Sequence, residues 1–64
     1  MEYTNSRVRE VIAEWIHSER DRDIMVLRLC HEKTIEEIAE HFDMSTSQIK
    51  RIIKRLSTVI FSHY

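Results

Sequence analysis

The 64-residue chain contains no glycine and no proline. It therefore lacks both the residues that make tight β-turns cheaply and the composition of an interdomain linker, which excludes a strand-rich fold and a flexible two-domain arrangement. Its one cysteine, Cys30, has no partner for an intramolecular disulfide. It lies in the apolar run Ile24 to Cys30 (IMVLRLC), where a buried, unreactive thiol fits a reducing cytoplasm. No apolar stretch approaches the ~20 residues that a membrane-spanning helix needs, and the N-terminus shows no secretory apolar segment. A soluble, unprocessed, cytoplasmic protein with no membrane contact is expected. So short a chain seldom gains more than ~3–5 kcal/mol from its own core, so oligomerisation or a larger partner is also expected.

What is present is helical periodicity from end to end, which predicts an all-α fold of four helices in a single domain over 1–64. From about Asn5 or Ser6, Val8, Val11, Ile12, Trp15 and Ile16 follow one stripe, with Trp15 as the expected core anchor. Ser18 and Asp21 mark the start of a second helix, apolar almost all round at its centre and expected to end near His31 to Lys33. The run Thr34 to Lys54, TIEEIAEHFDMSTSQIKRIIK, then reads as two helices joined by a tight turn, a helix-turn-helix over about 34–56. Thr34 with Glu37 forms a T-x-x-E capping box, and Ser45 with Gln48 repeats it as S-x-x-Q. The stripes Ile35, Ile38, Ala39, Phe42 and Ile49, Ile52, Ile53, Leu56 must pack together, and small Ala39 lets the backbones approach. Asp43 stands where the chain leaves the first of these helices, and a left-handed conformation is expected there. The last helix is expected to continue through Val59 and Ile60 to about Phe61.

The net charge of −1 hides an asymmetry. Residues 44–64 hold Lys50, Arg51, Lys54 and Arg55 and no acid, whereas residues 1–43 hold six basic residues and eleven acids. With the isoleucines and Leu56 inward at 100° per residue, Ser47, Lys50, Arg51, Lys54 and Thr58 fall on the opposite side. Solubility alone does not call for four cations without one acid on an exposed helix, whereas phosphate does. Lys50 and Arg51 suit guanine O6 and N7, Thr46 and Ser47 suit adaptable hydrogen bonds or a thymine methyl, and Lys54 and Arg55 suit phosphates.

Other chemistry is not indicated. His17, His31, His41 and His63 form neither H-E-x-x-H nor a zinc-finger spacing, so no metal is expected. Glu36, Glu37 and Glu40 share the outer side of a short helix, with no nucleophile beside a base and no glycine-rich loop, so neither catalysis nor a cofactor is expected.

Ile53, Val59, Ile60, Phe61 and Tyr64 could close the core against Trp15 or form a partner surface. Phe61 falls about 120° from the inward direction, beside the polar face. Pairing two such domains through their last helices would give a homodimer that reads two half-sites about one DNA turn, ~34 Å, apart. RNA polymerase is the other partner this surface leaves open.

The stretch Ser18 to Leu56, SERDRDIMVLRLCHEKTIEEIAEHFDMSTSQIKRIIKRL, resembles region four of bacterial RNA polymerase sigma factors. The resemblance lies in its E-R-x-R-x-I-x-x-L-R opening, its E-E-I-A helix and its S-x-x-x-I-K recognition helix, elements shared in part with LuxR-type and phage regulators. It implies a four-helix domain whose last helix reads a promoter minus-35 element in the major groove. The base-facing positions would fall on Thr46, Ser47, Lys50 and Arg51, and a phosphate-contacting arginine of the preceding helix on Arg22. Ser47 and Ile53 stand where that family often has charged or polar residues, which would alter base preference and lengthen the apolar seam. The other sigma regions are not in the chain, so a free-standing domain is expected. The expected function is sequence-specific binding of double-stranded DNA by a regulator of bacterial or phage type. The alternative is an interaction module that binds RNA polymerase or a sigma factor without recognising DNA itself.

Overall fold

The computed structural model describes residues 5–64 as four helices: α1 (Asn5–Trp15), α2 (Glu19–Leu29), α3 (Ile35–Phe42) and α4 (Thr46–His63). No strand occurs among the described residues, and the expected all-α architecture holds.

Local chemistry sets most of the boundaries. Ser18 is extended (φ −82°, ψ 124°), and its Oγ accepts the Asp21 N–H at 3.4 Å, so α2 begins on its cap. Both capping boxes close. The Thr34 hydroxyl accepts the Glu37 N–H while the Thr34 N–H donates to Glu37 Oε1, each at 3.1 Å. Ser45 and Gln48 make the same reciprocal pair, again at 3.1 Å. Each such cap typically contributes about 1 kcal/mol, a large share of what so small a domain has. Helix α3 stops at Asp43, which is left-handed (φ 54°, ψ 46°) as expected. There the Met44 N–H reaches back to the Ala39 carbonyl at 2.9 Å and the Asp43 N–H to Glu40 at 3.3 Å, the paired bonds of a Schellman motif built without glycine. Helix α2 ends at Leu29, short of the expected His31 to Lys33. Glu32 takes a left-handed conformation (φ 54°), the Lys33 N–H bonds back to the Leu27 carbonyl at 3.0 Å, and Arg28 Nη1 donates to the Lys33 carbonyl, also at 3.0 Å. No capping residue announces this stop, which is why the pattern overran it.

The two boxes differ in one respect that acid exposes. The Thr34 backbone N–H and then its hydroxyl hold the Glu37 carboxyl below its ordinary pKa; desolvation opposes them, and the Lys33 charge adds the smallest lowering. A carboxyl whose pKa is depressed on folding contributes stability above its unfolded pKa of ~4.3 and loses it as pH falls through the folded value. Gln48 carries no titrating proton. On titration from pH 6 to 3, the Thr34 and Glu37 amides are expected to lose hydrogen-exchange protection and shift in NMR spectra before the Ser45 and Gln48 amides. Simultaneous loss would mean global unfolding rather than fraying of one cap.

The core has two clusters. Val8, Val11 and Ile12 of α1 and Ile16 just beyond it pack with Met25, Leu56 and Ile60, while Ile24 joins Ile38, Ala39 and Ile49 beneath the helix-turn-helix. Ile52 and Ile53 pack against both and link them. Two expectations are corrected here. Trp15 is not the core anchor: it is 42% exposed and lies flat on the His63 ring, with centroids 3.6 Å apart and planes 6° apart. Its wheel angle lies within the apolar stripe, but it is the last residue of α1, and angle says nothing about whether a neighbour extends over that level. Ile60 is fully buried in the first cluster, in line with Ile49 and Leu56, so it belongs to this chain's own core and offers no surface to a partner.

Candidate nucleic-acid interface

Helix α4 divides along its length. Its buried residues Ile49, Leu56 and Ile60 tie it to the core, while Thr46, Ser47, Lys50, Arg51, Lys54 and Arg55 are all exposed on its first ten residues. These six were the expected base-reading and phosphate positions of that helix, and the fold brings them to one face. That face starts at a helix N-terminus, where aligned peptide dipoles add positive potential. The neighbouring α3 and its C-cap show the opposite sign, with Glu36, Glu37, Glu40 and Asp43 exposed. A polyanion is thus attracted to α4 and repelled by the outer side of α3.

The arginines of α2 do not all behave as expected. Arg22 is spoken for: its Nε donates to the Ile16 carbonyl and its Nη2 to Ala13 at 3.0 Å, so it caps the C-terminal end of α1. The guanidinium that meets the basic face is that of Arg20. Arg20, Met44, Gln48, Arg51, Ile52 and Arg55 line a cleft of about 330 Å³ between the start of α2 and the exposed side of α4. Behind Arg20 and Arg55 lies Asp21, only 6% exposed. Its Oδ1 accepts from Arg20 Nε and Nη2 at 3.3 and 3.2 Å, and its Oδ2 accepts from Arg55 Nη2 at 3.4 Å. Sequence reasoning missed Arg20 and Asp21. The E-R-D-R run held them, but nothing in it tells which arginine turns toward α4 and which turns back onto α1.

Of the proposed partner surface, Ile53, Val59 and Tyr64 are half-buried, and Phe61 is 46% exposed. Tyr64 meets Arg7, whose guanidinium carbon lies 5.8 Å from the ring centroid. No three His, Cys, Asp or Glu side chains converge on a metal-sized site among the described residues, and none of their helices is long and apolar enough to cross a membrane.

A short capped helix, a tight left-handed turn and a longer capped helix with an exposed basic face define a helix-turn-helix nucleic-acid-binding domain. Residues 18–56, more than half of the chain, match the family model for sigma-70, region 4. The chain belongs to that family and carries its DNA-binding, non-catalytic helix-turn-helix. Comparison with curated proteins and with solved structures gives no match.

Proposed function

We propose that this protein is a sequence-specific DNA-binding transcriptional regulator of bacterial or phage type, reading the major groove with the first half of α4. The observation that carries this is the α4 face itself, where Lys50, Arg51, Lys54 and Arg55 stand exposed together and no acid occurs from residue 44 onward. Arg51 and Lys50 are assigned to base edges, Thr46 and Ser47 to adaptable contacts, and Lys54 and Arg55 to phosphates. Arg20 replaces Arg22 as the phosphate contact from α2, because Arg22 already serves the α1 carbonyls.

The test is selection of bound sequences from a random duplex pool, followed by titration of variants against the recovered duplex and a random one. Arg51→Ala is expected to cost about 1–3 kcal/mol on the selected duplex and to relax preference at one base position, while Lys54→Ala weakens both duplexes alike. Equal losses from both variants on both duplexes would remove direct readout by Arg51. Failure to enrich any sequence, together with capture of RNA polymerase, would favour the interaction module.

One recognition helix reads few base pairs, and phosphate contacts alone give micromolar or weaker affinity at physiological salt. The added affinity is proposed to come from a second copy meeting at Phe61, with Ile53, Val59 and Tyr64 supporting it from beneath. Sedimentation at micromolar concentration is expected to show a dimer. A monomer that binds DNA one to one would assign the added affinity to RNA polymerase instead.

A further inference from the structure

We infer that Asp21 is a positioning residue for DNA: its carboxylate presets Arg20 and Arg55 on either side of the cleft, so that both meet the phosphate backbone. This rests on the DNA-binding reading above. Asp21 is the one buried charged residue among those described, and each of its oxygens serves a different arginine, one from its own helix and one from 34 positions along the chain. The arginine side chains themselves remain 53% and 67% exposed. After these bonds, Nη1 of Arg20 and both Nε and Nη1 of Arg55 are left to donate outward. Arg51 lines the same cleft, so the two phosphate-directed guanidiniums flank the residue assigned to a base edge.

The physical advantage is preorganisation. A long cationic side chain that swings freely must lose rotamer freedom when it meets phosphate, and one already held by a carboxylate loses less. Burial of Asp21 strengthens this hold, because the carboxylate is shielded from competing water. The opposite role is also physically possible: a carboxylate that shares its charge with two arginines could act as a brake on phosphate binding. The two roles predict opposite signs when the carboxylate is neutralised.

The full chain and its Asp21→Asn, Arg55→Lys and combined variants are titrated with a duplex recovered by selection and with a random duplex, at several salt concentrations. Circular dichroism melts are recorded for each. Positioning predicts that Asp21→Asn weakens binding to the selected duplex about tenfold and makes the log–log salt slope shallower by about one to two, at ~0.9 per phosphate contact. Arg55→Lys keeps the charge but loses the fork that bridges carboxylate and phosphate, so it is expected to weaken binding similarly. The combined variant should bind no more weakly than the worse single one, because both changes remove the same arrangement. Binding by Asp21→Asn that is unchanged or tighter, with an equal or steeper slope, overturns the inference, and so does an Arg55→Lys variant indistinguishable from the unmodified chain. If Asp21→Asn does not fold, Arg55→Lys and Arg20→Lys, both at exposed side chains, decide the matter by the same criteria. An unmodified chain that binds no duplex at low salt sinks the DNA-binding reading and this inference together. An unmodified chain that binds with a steep slope beside indifferent variants sinks the inference alone.

Discussion

Raising the salt from about 50 to about 200 mM is expected to lower the affinity for duplex DNA roughly 500-fold, from a log–log slope of about −4 to −5 for four to six neutralised phosphates. A chain of net charge −1 would not lead one to expect so steep a dependence. Counterion release, however, depends on the cations that reach phosphates and not on the total charge of the protein. Lys50, Arg51, Lys54 and Arg55 stand on one exposed face, and Arg20 joins them across the cleft. The exposed acids of α3 do not cancel this, because at ~0.1 M salt charges more than ~10 Å apart are largely screened from one another. Fluorescence anisotropy with a labelled duplex across the salt range gives the slope directly. A slope near zero would mean that the basic face is an ordinary solvated surface, and the interaction-module reading would replace DNA recognition.

Two adjacent residues are expected to respond oppositely to one substitution. Ile60→Asp should leave the chain largely unfolded at 25 °C, whereas Phe61→Asp should fold with a melting free energy within about 1 kcal/mol of the unmodified protein. Ile60 is fully buried among α1 side chains, Met25 and Leu56, and a carboxylate there has no partner. Burying an unpaired charge costs several kcal/mol, comparable to the ~3–5 kcal/mol that a core of this size supplies. Phe61 is 46% exposed, so a carboxylate there can still reach water. Far-ultraviolet circular dichroism during thermal melting distinguishes the outcomes. Folding of Ile60→Asp would mean that the end of α4 detaches without consequence for the core. If Phe61→Asp unfolds as well, folding depends on Phe61, and sedimentation of the unmodified protein then separates a core role (monomer) from an obligate dimer seam (dimer).

The helices and their starts were determined by the sequence alone because their causes are local. Ser18, Thr34 and Ser45 satisfy N–H groups three residues away, Asp43 tolerates the left-handed turn, and the apolar periodicity names the inward residues of α3 and α4. The exposed basic face of α4 follows from the same arithmetic, since four cations set at helical spacing opposite a stripe of isoleucines can only point outward. Tertiary structure decided what lies over each level of a helix. It left Trp15 at the end of α1 against His63, put Ile60 wholly inside, sent Arg22 back to the α1 carbonyls, and brought Arg20 and Asp21 to Arg55. Helical angle is a one-dimensional quantity, readable from spacing. Which of two arginines two positions apart meets α4 depends on the crossing of α2 with both α1 and α4, and no periodicity along one helix carries that information.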